Sequence, residues 1–151
     1  MDKIFIFGAK DLIIAPVIAI LWLIARSPKD KWLTMTAQLA WVGVVAFVIA
    51  KIGAHFYYDP RPFVTGNFTP LIPHAADNGF PSDHTLLATV IAVVGYYWDK
   101  RVGRNLAIVA AVIAVSRVYV GVHHIIDVVA SIVIALVAGL VVHYTKQIKS
   151  N

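Results

Sequence analysis

The chain has no cysteine and no glutamate, and charged residues make up only 14% of its 151 positions. The absence of cysteine excludes disulfides, thiolate catalysis and Cys-based zinc or iron–sulfur sites. The absence of glutamate excludes exposed helices laced with Glu–Lys pairs. So few charges cannot cover a solvated globule of this size, since soluble domains carry ~25% charged residues. Here 60% of the residues are hydrophobic and the mean hydropathy is +0.78. No internal repeat or low-complexity tract is present. These features predict an integral membrane protein, with residues 1–151 forming a single domain. A net charge of +5 would suggest nucleic acid in a soluble chain. In a membrane protein the positive-inside bias accounts for it, and no nucleic-acid partner is expected.

A transmembrane helix needs ~20 mainly apolar residues. Five candidate spans satisfy this roughly: Leu12–Ala25, Leu33–Ala50, Thr85–Trp98, Asn105–Gly121 and Val128–Tyr144. The first is short, and Ile4–Gly8 precedes it, either as part of one long span or as a short interfacial helix. The predicted fold is all-α, a polytopic bundle of about five transmembrane helices with a short N-terminal interfacial segment. Three basic loops fall on one side of such a bundle: Arg26, Lys29 and Lys31; Lys100, Arg101 and Arg104; Lys146 and Lys149. The positive-inside rule makes that side cytoplasmic. The stretch from Tyr58 to Pro81, which holds five of the seven prolines and two glycines, then faces outward as irregular chain.

Ionisable residues next to spans are costly and point to function. Apart from Lys3 and Lys10 near the N-terminus, three cations are left over on the outward side: Lys51, Arg61 and Arg117. Lys51 reads as an interfacial anchor or as part of a site, with His55 in the same region. Arg61 lies between Pro60 and Pro62, a rigid setting that aims its side chain. Arg117 alone reads as a cation snorkelling at a helix end, or as a fork of donors for phosphate or carboxylate oxygens. His123 and Asp127 are four residues apart, so on one helix they would share a face. A carboxylate beside an imidazole fixes its tautomer and makes the other ring nitrogen a better base or nucleophile. Pro81-Ser82-Asp83-His84 opens the third span. Ser82 or Asp83 serves there as a simple cap, or the free amides of the helix start form an anion site, with the Ser82 hydroxyl and His84 facing the same anion. Three cations without matching acids call for an anionic ligand, and a tetrahedral phosphate fits best. With one histidine as nucleophile and another as acid, this is a recipe for phosphoryl transfer through a phosphohistidine, without metal or cofactor.

These residues resemble the membrane branch of the type 2 phosphatidic acid phosphatase family. Its third motif, Ser-Arg, five residues, His, three residues, Asp, is matched in full by Ser116-Arg117, His123 and Asp127. The second, Pro-Ser-Gly-His, is matched at Pro81, Ser82 and His84, with Asp83 in the glycine position. The first is matched at Arg61-Pro62, but nine residues separate Lys51 from Arg61 where the general pattern has six. The resemblance implies that His123 attacks phosphorus, that Asp127 orients it, and that His84 protonates the leaving oxygen and then activates water. It also implies that Lys51, Arg61, Ser82 and Arg117 hold the non-bridging oxygens, with the Asp83 amide in support. The long first motif, the Leu71–Asp77 stretch and Phe80–His84 look like the undecaprenyl-diphosphate phosphatases of the bacitracin-resistance type. On that likeness the enzyme would work at the outer face of a bacterial cytoplasmic membrane, in recycling the cell-wall carrier lipid. His74 and Asp77 would serve the second phosphate or only shape the loop. Alternative expectations are a phosphatase of phosphatidylglycerophosphate, phosphatidic acid or a lipid A phosphate, an intramembrane serine hydrolase using Ser82, and a small transporter without catalysis.

Overall fold

A computed structural model describes the backbone of residues 1–150 and the side chains of residues 1–143. The side chains of Lys146 and Lys149, expected among the orienting charges, lie outside the described residues. Seven helices follow in order: α1 (Asp2–Lys10), α2 (Ile14–Arg26), α3 (Lys29–Phe56), α4 (Pro62–Thr65), α5 (Asp83–Trp98), α6 (Lys100–Tyr119) and α7 (Ile125–Ser150). Among the described residues the β-type pairing is an isolated bridge between Pro60 and Asn78. The expected all-α bundle is therefore what forms.

Three helices are long and apolar enough to cross a membrane: α3, α6 and the 19-residue part of α7 from Ile125 to His143. The N-terminal pair α1 and α2 bends by 46° at the break between them, so the first candidate span is a broken helix pair, and the pair passes for a membrane span only when taken together. At 16 residues, α5 spans only ~24 Å at 1.5 Å per residue. It compensates by position, packing against α2, α3, α6 and α7 and burying Thr85, Leu86, Ala88–Ala92, Val94 and Gly95. The core around it is aliphatic and small-sided, with Met35, Val42, Ala46, Ala135 and Ala138 nearly inaccessible. Small residues let helices approach closely where lipid supplies no hydrophobic drive. One such approach is α1 on α6: a Cβ at Gly8 would come within 2.2 Å of Ser116 Oγ.

Outer faces carry the reverse pattern. Val44, Phe47, Val48 and Ile52 on α3, Ile108, Val112 and Val115 on α6, and Val129, Val133 and Leu140 on α7 are all exposed. An apolar exterior this extensive is a lipid-facing surface. The bundle has two unlike ends. At one end Arg26 pairs with Asp99, whose Oδ1 also accepts from the amides of Arg101 and Val102 and so caps α6. The α2–α3 and α5–α6 connections, with their lysines and arginines, are therefore neighbours. The other end gathers the C-termini of α3 and α6, the N-termini of α5 and α7, and the proline-rich connection from Tyr57 to Ser82.

Candidate active site

The site forms where that proline-rich connection folds over the helix ends. Arg61 is held between Pro60 and Pro62, in extended geometry ahead of α4, and its side chain is 7% exposed. Its Nε donates to Asp77 Oδ1 at 2.7 Å and its Nη1 to the Val122 carbonyl at 2.8 Å. The connection is anchored from beneath by Asn78. Its Oδ1 accepts from the amides of Asp59 and Phe80, and its Nδ2 donates to the carbonyls of Ala54 and Tyr57 at the end of α3. No sequence spacing links Asn78 to Ala54, and this anchor was not foreseen.

Arg117 occupies the last turn of α6 and is 3% exposed, so it is buried rather than snorkelling. Its Nη1 donates to the Ala9 carbonyl at 3.3 Å, at the C-terminal end of α1, where the helix dipole is negative. Its Nη2 lies 3.1 Å from His74 Nε2 and 3.2 Å from His123 Nε2. Among the described residues it has no ion-pair partner, and its Nε is buried without a hydrogen bond. A buried guanidinium without a counter-charge is expensive, and the cost falls when an anion arrives.

His123 is not on a helix. It sits in the turn between α6 and α7, one residue past Val122 and two before Ile125. That turn needs Gly121, whose φ is +80° and whose Cβ position is filled by the Phe68 ring. Asp127 lies in the first turn of α7 and is fully buried. The expected pairing forms all the same, with His123 Nδ1 3.2 Å from Asp127 Oδ2. Guanidinium groups only donate, so with Arg117 and Arg61 Nη1 (3.4 Å) facing Nε2, Nε2 carries the lone pair and Nδ1–H donates to Asp127. Burial, together with the charges of Arg117 and Arg61, pushes the His123 pKa below the ordinary 6.5, although the hydrogen bond to Asp127 works upward. The ring is thus neutral with a free nitrogen aimed at two guanidiniums.

His84, Asp83, Lys51, His74 and Asp77 join Arg61, Arg117 and His123 around a cavity of about 380 Å³. Lys51 reaches it despite the long first motif, because α3 continues past it to Phe56; its Nζ lies over the Phe47 ring at 5.2 Å. His55 faces away, exposed, with its ring edge on Phe56. Ser82 is fully buried at the start of α5 and makes no side-chain cap. Its Oγ accepts from Thr85 Oγ1 at 3.2 Å, and its carbonyl accepts from Ser131, which also bonds the Asp127 carbonyl. The serine therefore braces α5 against α7 beneath the cavity rather than pairing with His123. The Leu71–Asp77 stretch supplies a partner to each arginine. Burial and both arginines lower the His74 pKa, leaving it a neutral acceptor for Arg117. Its bond to Arg61 lowers that of Asp77. The expectation of three cations without acids thus holds for Arg117 but not for Arg61.

Asp59, His124 and Asp127 bring three potential metal-ligand atoms within 4.8 Å of one another. Hydrogen bonds already engage them: His124 Nδ1 with Asp59 Oδ2 at 2.9 Å, and Asp127 Oδ2 with both His123 and the His124 amide. The hydrogen-bonding accounts for this cluster. The pairing of His124 with Asp59, 65 residues away, is a second feature that spacing could not reveal.

The chain is similar to known proteins in both sequence and fold. The profile of a family described as the PAP2 superfamily matches residues 36–150. The chain is 33% identical over 141 residues to undecaprenyl-diphosphatase BcrC of Bacillus subtilis (strain 168), which spans 92% of this chain and 72% of that one. It is 32% identical over 143 residues to putative undecaprenyl-diphosphatase YbjG of Escherichia coli (strain K12), over 93% and 71% of the two chains. Among solved structures, Aquifex aeolicus LpxE superposes with a TM-score of 0.74 at 24% identity, covering 95% of this chain and 85% of that one. The PAP2 type phosphatidylglycerolphosphate phosphatase from Bacillus subtilis gives 0.66, also at 24% identity, over 96% and 74%. At that identity the two structures speak to the fold.

Proposed function

This chain belongs to the PAP2 superfamily and is a membrane lipid phosphate phosphatase, and on that premise we propose that it hydrolyses undecaprenyl diphosphate to the monophosphate through a phosphohistidine. The observation that carries the reading is the pair of Arg117, buried without an ion-pair partner among the described residues, and His123, whose Nε2 lone pair faces it. A terminal phosphate seated in the cavity would accept from Arg61 and Arg117, which lets Nε2 approach phosphorus. As the N–P bond forms, the bond to the bridging oxygen breaks, and His84 delivers a proton to that oxygen as the lipid monophosphate leaves. Asp127 holds the imidazolium that develops on His123. Water, deprotonated by His84, then attacks phosphorus and releases inorganic phosphate and the free imidazole. Charge growing on the non-bridging oxygens meets donors that are already oriented, the cheapest form of transition-state stabilisation. Lys51 adds a third positive charge at the rim, and Asp83 contributes its amide from the start of α5.

The choice of substrate follows the named relatives, which are undecaprenyl-diphosphatases. Asp77 and His74, which contact Arg61 and Arg117, are the proposed neighbours of a second phosphate. The outer face of a bacterial cytoplasmic membrane is the proposed setting, because the basic loops and the site occupy opposite ends of the bundle.

The test is phosphate release by the purified protein in detergent, with and without EDTA, on undecaprenyl diphosphate against phosphatidylglycerophosphate. Chelator-resistant release with the diphosphate preferred is expected, and acid quenching should lose a phosphorylated histidine that alkaline quenching retains. His123→Ala should bring turnover and labelling to background. Abolition of activity by EDTA would overturn the metal-free chemistry, preference for the other lipid would overturn the substrate, and turnover in His123→Ala would overturn the nucleophile.

A further inference from the structure

We propose that Asp59 and His124 form a positioning pair that sets the distance between the arginine loop and His123, an inference that rests on the phosphohistidine reading above. His123 is flanked on both sides by bonds to the same short segment. Ahead of it, the Val122 carbonyl accepts from Arg61 Nη1 at 2.8 Å. Behind it, His124 Nδ1 meets Asp59 Oδ2 at 2.9 Å. Asp59 and Arg61 are separated only by Pro60, and His123 lies directly between the two residues they hold. The segment and the turn are thus tied at two points, one on each side of the reacting nitrogen.

Asp59 can act as a fixed post because its own backbone is held twice. Its amide donates to Asn78 Oδ1 at 3.0 Å, and its carbonyl accepts from the Gly79 amide at 2.8 Å. On the other partner, the His124 amide donates to Asp127 Oδ2 at 2.9 Å, the same oxygen that receives His123 Nδ1–H. A shift of His124 would therefore disturb the carboxylate that orients His123 as well as the turn itself. Asp59 is 14% and His124 37% exposed at the side chain, and neither lines the phosphate cavity. Their effect on the reaction runs through His123 and Arg61. Displacing a reacting atom by about 1 Å can cost roughly 10²-fold in rate, so a pair outside the cavity has leverage.

The test is a double-mutant cycle in the full-length protein in detergent, measured with undecaprenyl diphosphate. His124→Phe keeps the ring and removes Nδ1, Asp59→Asn removes the charge, and His124→Asn offers an amide donor near the Nδ1 position. We expect His124→Phe to lower kcat by about 10–100-fold with KM within about twofold, the signature of geometry lost at the reacting centre. The double variant should be no slower than the slower single variant, since both break one contact. His124→Asn should recover most of the rate, and alkaline-quenched phosphohistidine should form more slowly in His124→Phe than in the wild type. Unchanged kcat in the single variants, strictly additive losses, or a rate loss that parallels a fall in melting temperature while His124→Asn fails to rescue would each overturn the pair. Failure of the wild type to turn over the lipid or to form phosphohistidine would instead overturn the underlying mechanism.

Discussion

At the scale of single residues, the arrangement turns on two guanidiniums with unequal surroundings. Arg61 keeps an acid, Asp77, within 2.7 Å, whereas Arg117 is buried against the Ala9 carbonyl and two imidazoles. Arg117 should therefore lose more when removed. Arg117→Ala is expected to lower kcat by about 10²–10³-fold, as for other donors aimed at developing charge. Arg117→Lys should rescue little, because an ammonium cannot fork between His123 and the phosphate. Steady-state kinetics on the two variants check this, and full activity in Arg117→Lys would contradict it. The pH profile follows from His123. As the proposed nucleophile it attacks in its neutral form, and its pKa lies below 6.5 because burial and the arginines outweigh Asp127. Activity is lost as pH falls through that lowered value, so the acid limb of kcat/KM should lie below pH 6.5, where the free enzyme's titration is read. Asp127→Asn removes the upward influence, so it should move the limb further down while kcat drops. A limb moving upward in that variant would refute the assignment.

At the scale of elements, α1 turns from an accessory into part of the site. It packs on α6 through Gly8 against Ser116 and through the Phe5 ring stacked 3.8 Å from Tyr119, whose hydroxyl donates to Asp2. This contact delivers the Ala9 carbonyl to Arg117. Any Cβ at residue 8 would meet Ser116 Oγ at 2.2 Å, so α1 must move away. Gly8→Leu is expected to cost at least about tenfold in kcat/KM and about 1–3 kcal/mol of stability, the usual cost of overpacking. Thermal melts and kinetics in the same detergent measure both. Wild-type values in Gly8→Leu would show that α1 contributes nothing to the site. The sequence made helices α2, α3, α5, α6 and α7 legible because each carries a mainly apolar run. It left α1 open between two readings, since nine residues are too few for hydropathy to decide. The proline-rich connection read correctly as irregular chain, yet its internal anchor, Asn78, did not, because its partners on α3 lie 21 and 24 residues away.

At the scale of the whole molecule, the two ends of the bundle divide the charge. The α2–α3 and α5–α6 turns meet through Arg26 and Asp99 at one end, and the cavity opens at the other. The proposed orientation, with the basic end in the cytoplasm, turns the cavity outward. The absence of native cysteine allows a clean test of this orientation. Thr69 is exposed in the connection over the cavity, and it is a better probe site than Asn67, whose φ of 48° suits asparagine more than cysteine. Thr69→Cys should react with a membrane-impermeant thiol reagent in intact cells. Labelling only after lysis would invert the proposed topology.

The sequence by itself determined that this chain lives in a membrane, that it is helical, and which motif residues could handle a phosphate. Those properties depend on composition, on runs of about 20 residues and on short spacings, all of which are local. Tertiary contacts alone decide which arginine is paired with an acid, that His123 stands in a turn rather than on a helix, that the Ser82 carbonyl braces α5 against α7, and that Asp59 reaches His124. Each of these depends on where distant segments meet. Hydrogen-bond partners 16 to 108 residues apart are chosen by packing around α5, and no local pattern in the chain records that choice.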